Sequence, residues 1–276
     1  MALRGVDISE HNGNVDFAAL KNAGVAFVIL RLGYGSDYSN QDDKRFAENV
    51  RKAQAVGMPW GAYLYSYART TAMAKSEAQH ALRLLGGQKP LYGVWFDVED
   101  SQIAQADLTA TSRTFCDTLE AAGLYAGIYA SLSWFTTKLS SPELDRYDKW
   151  VAQWNSTCTY QKAYGLWQYT DKLVIGGKNF DGNYAYKDYP AVVQSMGQPE
   201  EEEEKEPMLT YDQWKDYMNR YQEELAGKPV SNWAQGAVDF VQAQGYMSGD
   251  TDGTFRPQSP ITRQEVAAVL QNTLGK

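Results

Sequence analysis

Gly93-Val94-Trp95-Phe96-Asp97-Val98-Glu99 is the stretch on which the reading of this chain turns. Its apolar run over 94–96 is strand-like, and it closes on an Asp-X-Glu pair. Side chains two apart on a strand share a face. Asp97 and Glu99 therefore point the same way, roughly 7 Å apart along the backbone. Two carboxylates at that spacing repel unless one holds a proton and the other a charge. That division of labour is the equipment of glycoside hydrolysis. The plain alternative is an exposed acidic turn extended by Asp100.

Outward from this strand, strand-like and helix-like runs alternate. Strands are expected over 5–8, 27–32, 60–65, 94–98 and 125–130. Helices are expected over 17–22, 43–55, 71–85 and 108–122, with a short helical patch over 134–138. Repeated βα units predict a parallel sheet, because parallel neighbours need crossovers. The spacing then tightens. Residues 149–154, 165–169 and 179–184 read as strands with gaps too short for crossover helices. Five βα units and three closely spaced strands predict an α/β fold, a modified eight-stranded barrel of TIM type. A doubly wound open sheet explains the last three strands less well.

In such a barrel, functional groups gather at the C-terminal ends of the strands. Asp7 closes the first strand, Asp97 and Glu99 the fourth, and Asp181 is expected to close the eighth. The first and eighth strands are neighbours in a closed barrel, so Asp7 and Asp181 are expected to converge. Four carboxylates around one mouth destabilise it, which points to function rather than folding. Taken singly, Asp7 and Asp181 also fit turn positions. Tyr63, Tyr65, Tyr129, Trp154, Trp167 and Tyr169 crowd the same strand ends, where flat faces with polar edges suit sugar rings. Aromatics are also ordinary strand residues.

The 276 residues suffice for one barrel and a small module. Residues 197–208 form an acidic, proline-bounded linker whose like charges repel. Residues 209–276 follow as an all-α module, with helices expected over 209–225 and 233–243. A third is N-capped by Thr262, with Glu265 completing a capping box. The net charge of −8 is uneven. Residues 199–276 carry 14 acids and 7 bases, hence −7, and residues 1–198 carry 20 and 19, hence −1. An acidic chain without a basic stripe argues against nucleic acid as a partner. Nothing apolar approaches the ~20 residues of a membrane span. Cys116 and Cys158 make no disulfide framework. His11 and His80 lack ligand spacing, and Asp250-Thr251-Asp252-Gly253 reads as a turn, so no metal or other cofactor is expected. The first residues run straight into a strand without a signal peptide. The expectation is synthesis in the cytoplasm and release by a route other than standard secretion.

The ordered motifs resemble those of family 25 glycoside hydrolases, the lysozyme-type muramidases common in phage endolysins. They are Gly5-Val6-Asp7-Ile8-Ser9-Glu10-His11-Asn12-Gly13, Arg31-Leu32-Gly33-Tyr34-Gly35, Gly61-Ala62-Tyr63-Leu64-Tyr65 and Phe96-Asp97-Val98-Glu99. Gly127-Ile128-Tyr129, Gln153-Trp154, Leu166-Trp167-Gln168-Tyr169 and Phe180-Asp181-Gly182-Asn183 follow. The resemblance covers about residues 3–195. It implies hydrolysis of the β-1,4 bond between N-acetylmuramic acid and N-acetylglucosamine in bacterial peptidoglycan. Glu99 is then the general acid, and Asp97 orients or stabilises the reacting sugar. Asp7 and Asp181 hold charge and position substrate or water. Tyr63, Tyr65, Tyr129, Trp154, Trp167, Gln168 and Asn183 line the substrate. Like charge from Asp97, Asp7 and Asp181, with Trp95 or Phe96 excluding water, is expected to keep Glu99 protonated. A holin-type pore would account for release to the wall.

The C-terminal module resembles one surface-layer-homology repeat through Trp233, Gly245-Tyr246-Met247, Asp252-Gly253-Thr254-Phe255-Arg256-Pro257 and Ile261-Thr262-Arg263-Gln264-Glu265. Such repeats bind wall polysaccharide, which assigns Trp233, Arg256 and Arg263 to wall contact. A lone copy leaves apolar surface that favours pairing into a homo-oligomer through 209–276. The rivals are another barrel glycosidase, such as a chitinase, and a non-catalytic wall-binding protein.

Overall fold

A computed structural model describes residues 2–196, 209–250 and 253–275. The chain divides into two compact units, residues 1–200 and 201–276. The expected linker over 197–208 lies outside the described residues, as do Thr251 and Asp252.

The first unit is a closed barrel whose eight strands follow sequence order around the ring. They are β1 (Leu3–Ile8), β2 (Phe27–Tyr34), β3 (Trp60–Tyr65), β4 (Val94–Asp97), β5 (Ala126–Ser131), β6 (Asp148–Ala152), β7 (Leu166–Ile175) and β8 (Lys178–Ala185). Strands β1 to β7 pair in parallel. The expectation of a parallel sheet fails at β8, which runs antiparallel to both β7 and β1. Gly176 and Gly177, with φ of 57° and 78°, make a two-residue turn. Positive φ at both positions suits a tight hairpin and leaves no room for a crossover. Strands β7 and β8 are accordingly longer than the alternation suggested.

Helices α1 (Phe17–Asn22), α2 (Phe46–Ala55), α3 (Thr71–Leu85), α4 (Leu108–Ala121) and α5 (Leu132–Thr137) follow the first five strands. The fold is therefore α/β, as the five βα units predicted. One element was not anticipated: α6 (Tyr189–Ser195), capped by the Asp188 carboxylate on the Ala191 N–H. Asp188 at N-cap and Pro190 in the first turn are the ordinary start signals for such a helix.

Alternation along the strands builds two cores. Val28, Leu30, Val94, Phe96, Ile128 and Val151 face the helices. Phe96 stacks on Phe115 of α4 with ring centroids 4.2 Å apart. Phe27, Ile29, Trp95, Trp150 and Leu166 face the barrel axis. Small residues make room for the large ones there. A Cβ at Gly127 would lie 2.4 Å from the Trp95 ring, and one at Gly5 the same distance from Phe27. The floor is closed by α6. Tyr189 and Tyr125 both donate to Asp148 Oδ2, at 2.7 and 2.8 Å, and Lys187 pairs with Oδ1 at 3.0 Å. Cys116 is buried, and both cysteines are free thiols.

The second unit contains α7 (Tyr211–Ala226), α8 (Gln235–Ala243) and α9 (Arg263–Leu274). Thr210 and Thr262 open α7 and α9 with capping boxes completed by Gln213 and Glu265. Among the described residues none of the three helices buries a side chain. No described helix of the protein is long and apolar enough to cross a membrane.

Candidate active site

The acids expected at the barrel mouth are brought there by three separate segments. Asp7 lies near the end of β1 and Asp97 ends β4, both buried. Glu99 follows β4 by two residues, beyond the strand's end, and its charge acts on Asp97. Asp181 arrives differently from the expectation. It sits in mid-strand, and β8 reaches the mouth only because it runs antiparallel. Asp7 and Asp181 are direct register partners, and the Asp181 charge acts on Asp7.

An amide frame holds Asp7. Its Oδ2 accepts from Gln168 Nε2 at 3.0 Å and from Asn183 Nδ2 at 2.8 Å. Asn183 Oδ1 accepts from Trp150 Nε1 at 2.7 Å. Gln168 Oε1 accepts from Tyr129 Oη and Trp154 Nε1, each at 3.1 Å. An indole N–H can only donate, so each tryptophan fixes which way its amide partner points. Tyr63 is inward and meets the Trp150 ring edge-on at 6.0 Å between centroids. Tyr65 Oη donates to Asp100 Oδ2 at 3.1 Å. Trp154 is 61% exposed, a flat face beside the acids.

Three residues expected at or beside the acids lie elsewhere. Trp167 faces away from the mouth: its indole donates to the Gln153 carbonyl at 2.8 Å and its ring packs on Tyr169 and Tyr184. Gln168 points inward, so strand alternation sends Trp167 outward. Phe96 is likewise turned out against Phe115. Trp95 points inward but belongs to the layer below, with Nε1 donating to the Tyr92 carbonyl at 2.7 Å.

The electrostatics divide the acids. Burial raises the Asp97 pKa well above the ordinary range, and the Glu99 and Asp7 charges add to it, with Arg31 opposing. Burial likewise raises Asp7, with the Asp181 charge second. Burial is also the main cause of the raised Glu99 pKa. A Tyr129 hydrogen bond opposes it to the extent that the hydroxyl donates, and the Asp181 and Asp100 charges add to it. Like charge thus reaches Glu99 from Asp181 and Asp100, and Asp97 and Glu99 repel each other, as expected. Asp97 Oδ1 is buried with no hydrogen-bond partner among the described residues.

Arg31, quoted in a motif but given no role, is the cation whose field reaches Asp97. Its Nε donates to Asp43 Oδ2 at 2.8 Å and its Nη2 to Glu10 Oε1 at 3.0 Å. Inward alternation through Phe27, Ile29 and Arg31 was the signal for it. Trp150 and Asp100 were missed too. No group of three His, Cys, Asp or Glu suited to a metal ion occurs among the described residues.

In the second unit, Trp233 precedes α8 and is 89% exposed. Arg263 opens α9, and Arg256 pairs with Asp250 at 2.6 Å. Arg256 lines a groove of about 1110 Å³ with Tyr246, Ser248, Thr262, Glu265 and Asn272. Trp233 and Arg263 are not among its walls, so the three residues expected to contact the wall do not share that groove.

Comparison with known proteins follows the same division. The family model described as "Glycosyl hydrolases family 25" matches residues 6–178, and the "S-layer homology domain" model matches residues 227–267. The autolytic lysozyme of Clostridium acetobutylicum is 28% identical over 177 residues, 63% of this chain and 52% of that protein. Lysozyme M1 of Streptomyces globisporus is 26% identical over 200 residues, 65% of each chain. The solved structure of the modular autolysin LytC from Streptococcus pneumoniae superposes with a TM-score of 0.59 at 28% identity, covering 67% of this chain and 47% of that one. The chain thus spans between half and two thirds of the curated relatives it matches.

Proposed function

The chain belongs to glycosyl hydrolase family 25, and from that premise we propose that its barrel is a muramidase. In this reading it cleaves the β-1,4 bond between N-acetylmuramic acid and N-acetylglucosamine of bacterial peptidoglycan. The observation that carries the proposal is the meeting of Asp7, Asp97, Glu99 and Asp181 at one mouth, with burial raising Glu99. Names of the matched relatives, lysozymes and an autolysin, agree with it.

Glu99 is the general acid in this scheme. A carboxyl whose pKa is raised holds its proton more readily and protonates the glycosidic oxygen as the C–O bond breaks. The oxocarbenium-like centre then needs a negative partner. Asp97, beside Arg31, fills that place, and its unpartnered Oδ1 suits a substrate N–H. Tyr63, Tyr65, Tyr129 and Trp154 supply faces for the sugars. Gln168 and Asn183 support Asp7 instead of meeting substrate first. Glu99→Gln tests the acid: on a cell-wall zymogram it should remove nearly all lysis, about 10²–10⁴-fold, with the fold intact. Full retained lysis would sink the assignment. Chitin in place of cell walls separates the rival glycosidase, and NMR of the product anomer distinguishes retention from inversion.

For the second unit, the S-layer homology match supports contact with wall polysaccharide. Its exposed Trp214, Tyr217, Phe240, Val266 and Leu270 support association between copies. The place of action in this proposal is the wall, in an endolysin-type setting with holin-type release. Lysis of expressing cells only when a membrane pore is supplied is the result it expects.

A further inference from the structure

We propose that Tyr67, packed between Tyr34 and Tyr65 on the rim of the mouth, binds a sugar of the glycan strand beyond the bond that is cut, and that the buried Glu77 of α3 is its positioning residue. The inference rests on the reading of the barrel as a muramidase and extends that site along the strand.

The rim here is made by the C-terminal ends of β2 and β3. Tyr34 ends β2, Tyr65 ends β3, and the two are register partners. Tyr65 is also the register partner of Asp97, and its hydroxyl donates to Asp100 Oδ2 at 3.1 Å. Tyr67 follows two residues later. Its ring meets Tyr65 edge-on with centroids 5.3 Å apart, and Tyr34 at 6.2 Å. The row of rings therefore starts beside the segment that carries Glu99 and Asp100 and leads away from it toward β2. All three rings are half-buried, so packing fixes their angles and leaves part of each open to solvent. Tyr67 Oη makes no hydrogen bond among the described residues. A flat ring with an uncommitted hydroxyl at its edge suits the face of a sugar and its hydroxyl groups.

The mounting of that ring is more elaborate than packing requires. Glu77 is fully buried, and no cation among the described residues pairs with it. Its carboxyl accepts from Ser66 Oγ at 2.7 Å and from the Tyr67 N–H at 2.9 Å. Ser66 Oγ accepts from the Ala68 N–H at 3.1 Å, and the Ser66 N–H donates to the Asp97 carbonyl at 2.9 Å. The backbone is thus tied at 66, 67 and 68 in succession. One turn further along α3, the buried His80 donates from Nδ1 to the Gly35 carbonyl at 3.0 Å, next to Tyr34; the carbonyl can only accept. One helix sets both ends of the row. A buried carboxyl without a cation costs stability that an apolar side chain of its size would not. What Glu77 secures is the direction of a loop that brings no acid to the mouth, only the Tyr67 ring.

The test compares KM and kcat on long, peptide-free glycan strands with those on the shortest oligosaccharide the enzyme cleaves. Tyr67→Ala should raise KM on long strands by about fivefold more than on the short substrate. Tyr67→Phe keeps the face and loses the hydroxyl, so its rise should be smaller. Glu77→Leu should reproduce Tyr67→Ala. Glu77→Gln, whose amide oxygen still accepts from the Tyr67 N–H, should restore most of the affinity. Glu77→Leu combined with Tyr67→Ala should be no worse on long strands than Tyr67→Ala alone. Equal changes on long and short substrates in Tyr67→Ala would overturn the proposal, as would a loss confined to kcat. Should Glu77→Leu not fold, Ser66→Ala loosens the same loop from its other side and should raise KM on long strands selectively; no rise removes the role given to Glu77. Failure of the muramidase reading looks different: there the wild type cleaves neither substrate.

Discussion

The barrel and the helical module are held together in opposite ways. The barrel closes on itself, with one apolar layer inside the strands and another under the helices. The module has well-formed helices with capping boxes, yet none of their described side chains is buried. Local signals suffice to start a helix, but burial supplies most of the stability of a fold. The barrel can therefore place like charges together at its mouth and remain folded. The module, of a size that rarely stabilises itself, gains by covering its apolar helices against something else.

The contrast is sharpened most by equivalent truncations. Phe115→Ala removes a buried ring that stacks on Phe96 and should cost the barrel about 3–5 kcal/mol in denaturant unfolding. Phe240→Ala removes an exposed ring and should cost about 0.5 kcal/mol or less in dilute solution. Equal costs would erase the distinction.

Next in size is the response to pH. Glu77 is buried on α3, accepting from Ser66 Oγ at 2.7 Å and the Tyr67 N–H at 2.9 Å. Burial pushes its pKa up to about 7 from an ordinary 4.5. A carboxyl raised on folding binds its proton more tightly when native. Its stabilising contribution is full below pH 4.5 and disappears as pH rises through about 7. Asp7, Asp97 and Glu99 are shifted in the same direction. Barrel stability should thus fall between about pH 4.5 and 7, and Glu77→Gln should flatten that slope by on the order of 2 kcal/mol. In the module the exposed Glu265 has a lowered pKa through its bonds to Thr262. Its small contribution is present at neutral pH and is lost on acidification. A barrel that gains stability from pH 5 to 8 would contradict this.

A concentration series distinguishes self-association from wall contact alone. Leu270→Asp places a charge on the exposed apolar side of α9. It should shift sedimentation of the full chain toward monomer while leaving lysis per barrel unchanged. The smallest expected effect separates two tryptophans. Trp154→Ala should raise KM by roughly fivefold, since a ring-stacking face is worth on the order of 1 kcal/mol. Trp167→Ala should lower thermal stability with KM unmoved.

Much of this was legible because alternation within a strand is a strict rule. Asp7, Asp97 and Glu99 followed from period-two reading and the position of each strand end. Asp181 was placed correctly at the mouth for the wrong reason, because Gly176-Gly177 was not read as a hairpin turn. Had it been, β8 would have been antiparallel from the start. Trp167 and Phe96 were misjudged because aromatic identity was weighed above facing, though each adjoins an inward residue. Arg31 was visible only through its inward position among apolar neighbours. The donor chain through Trp154, Gln168 and Tyr129 joins strands distant in sequence, and nothing local announces it.

The lock on Asp148 bears on how this protein is cut for the bench. The matched family region stops at residue 178, the first residue of β8. A fragment ending there would lack Asp181 and Asn183, and would leave Asp148 without the Tyr189 hydroxyl and the Lys187 ammonium. A workable minimal enzyme has to run through the end of α6.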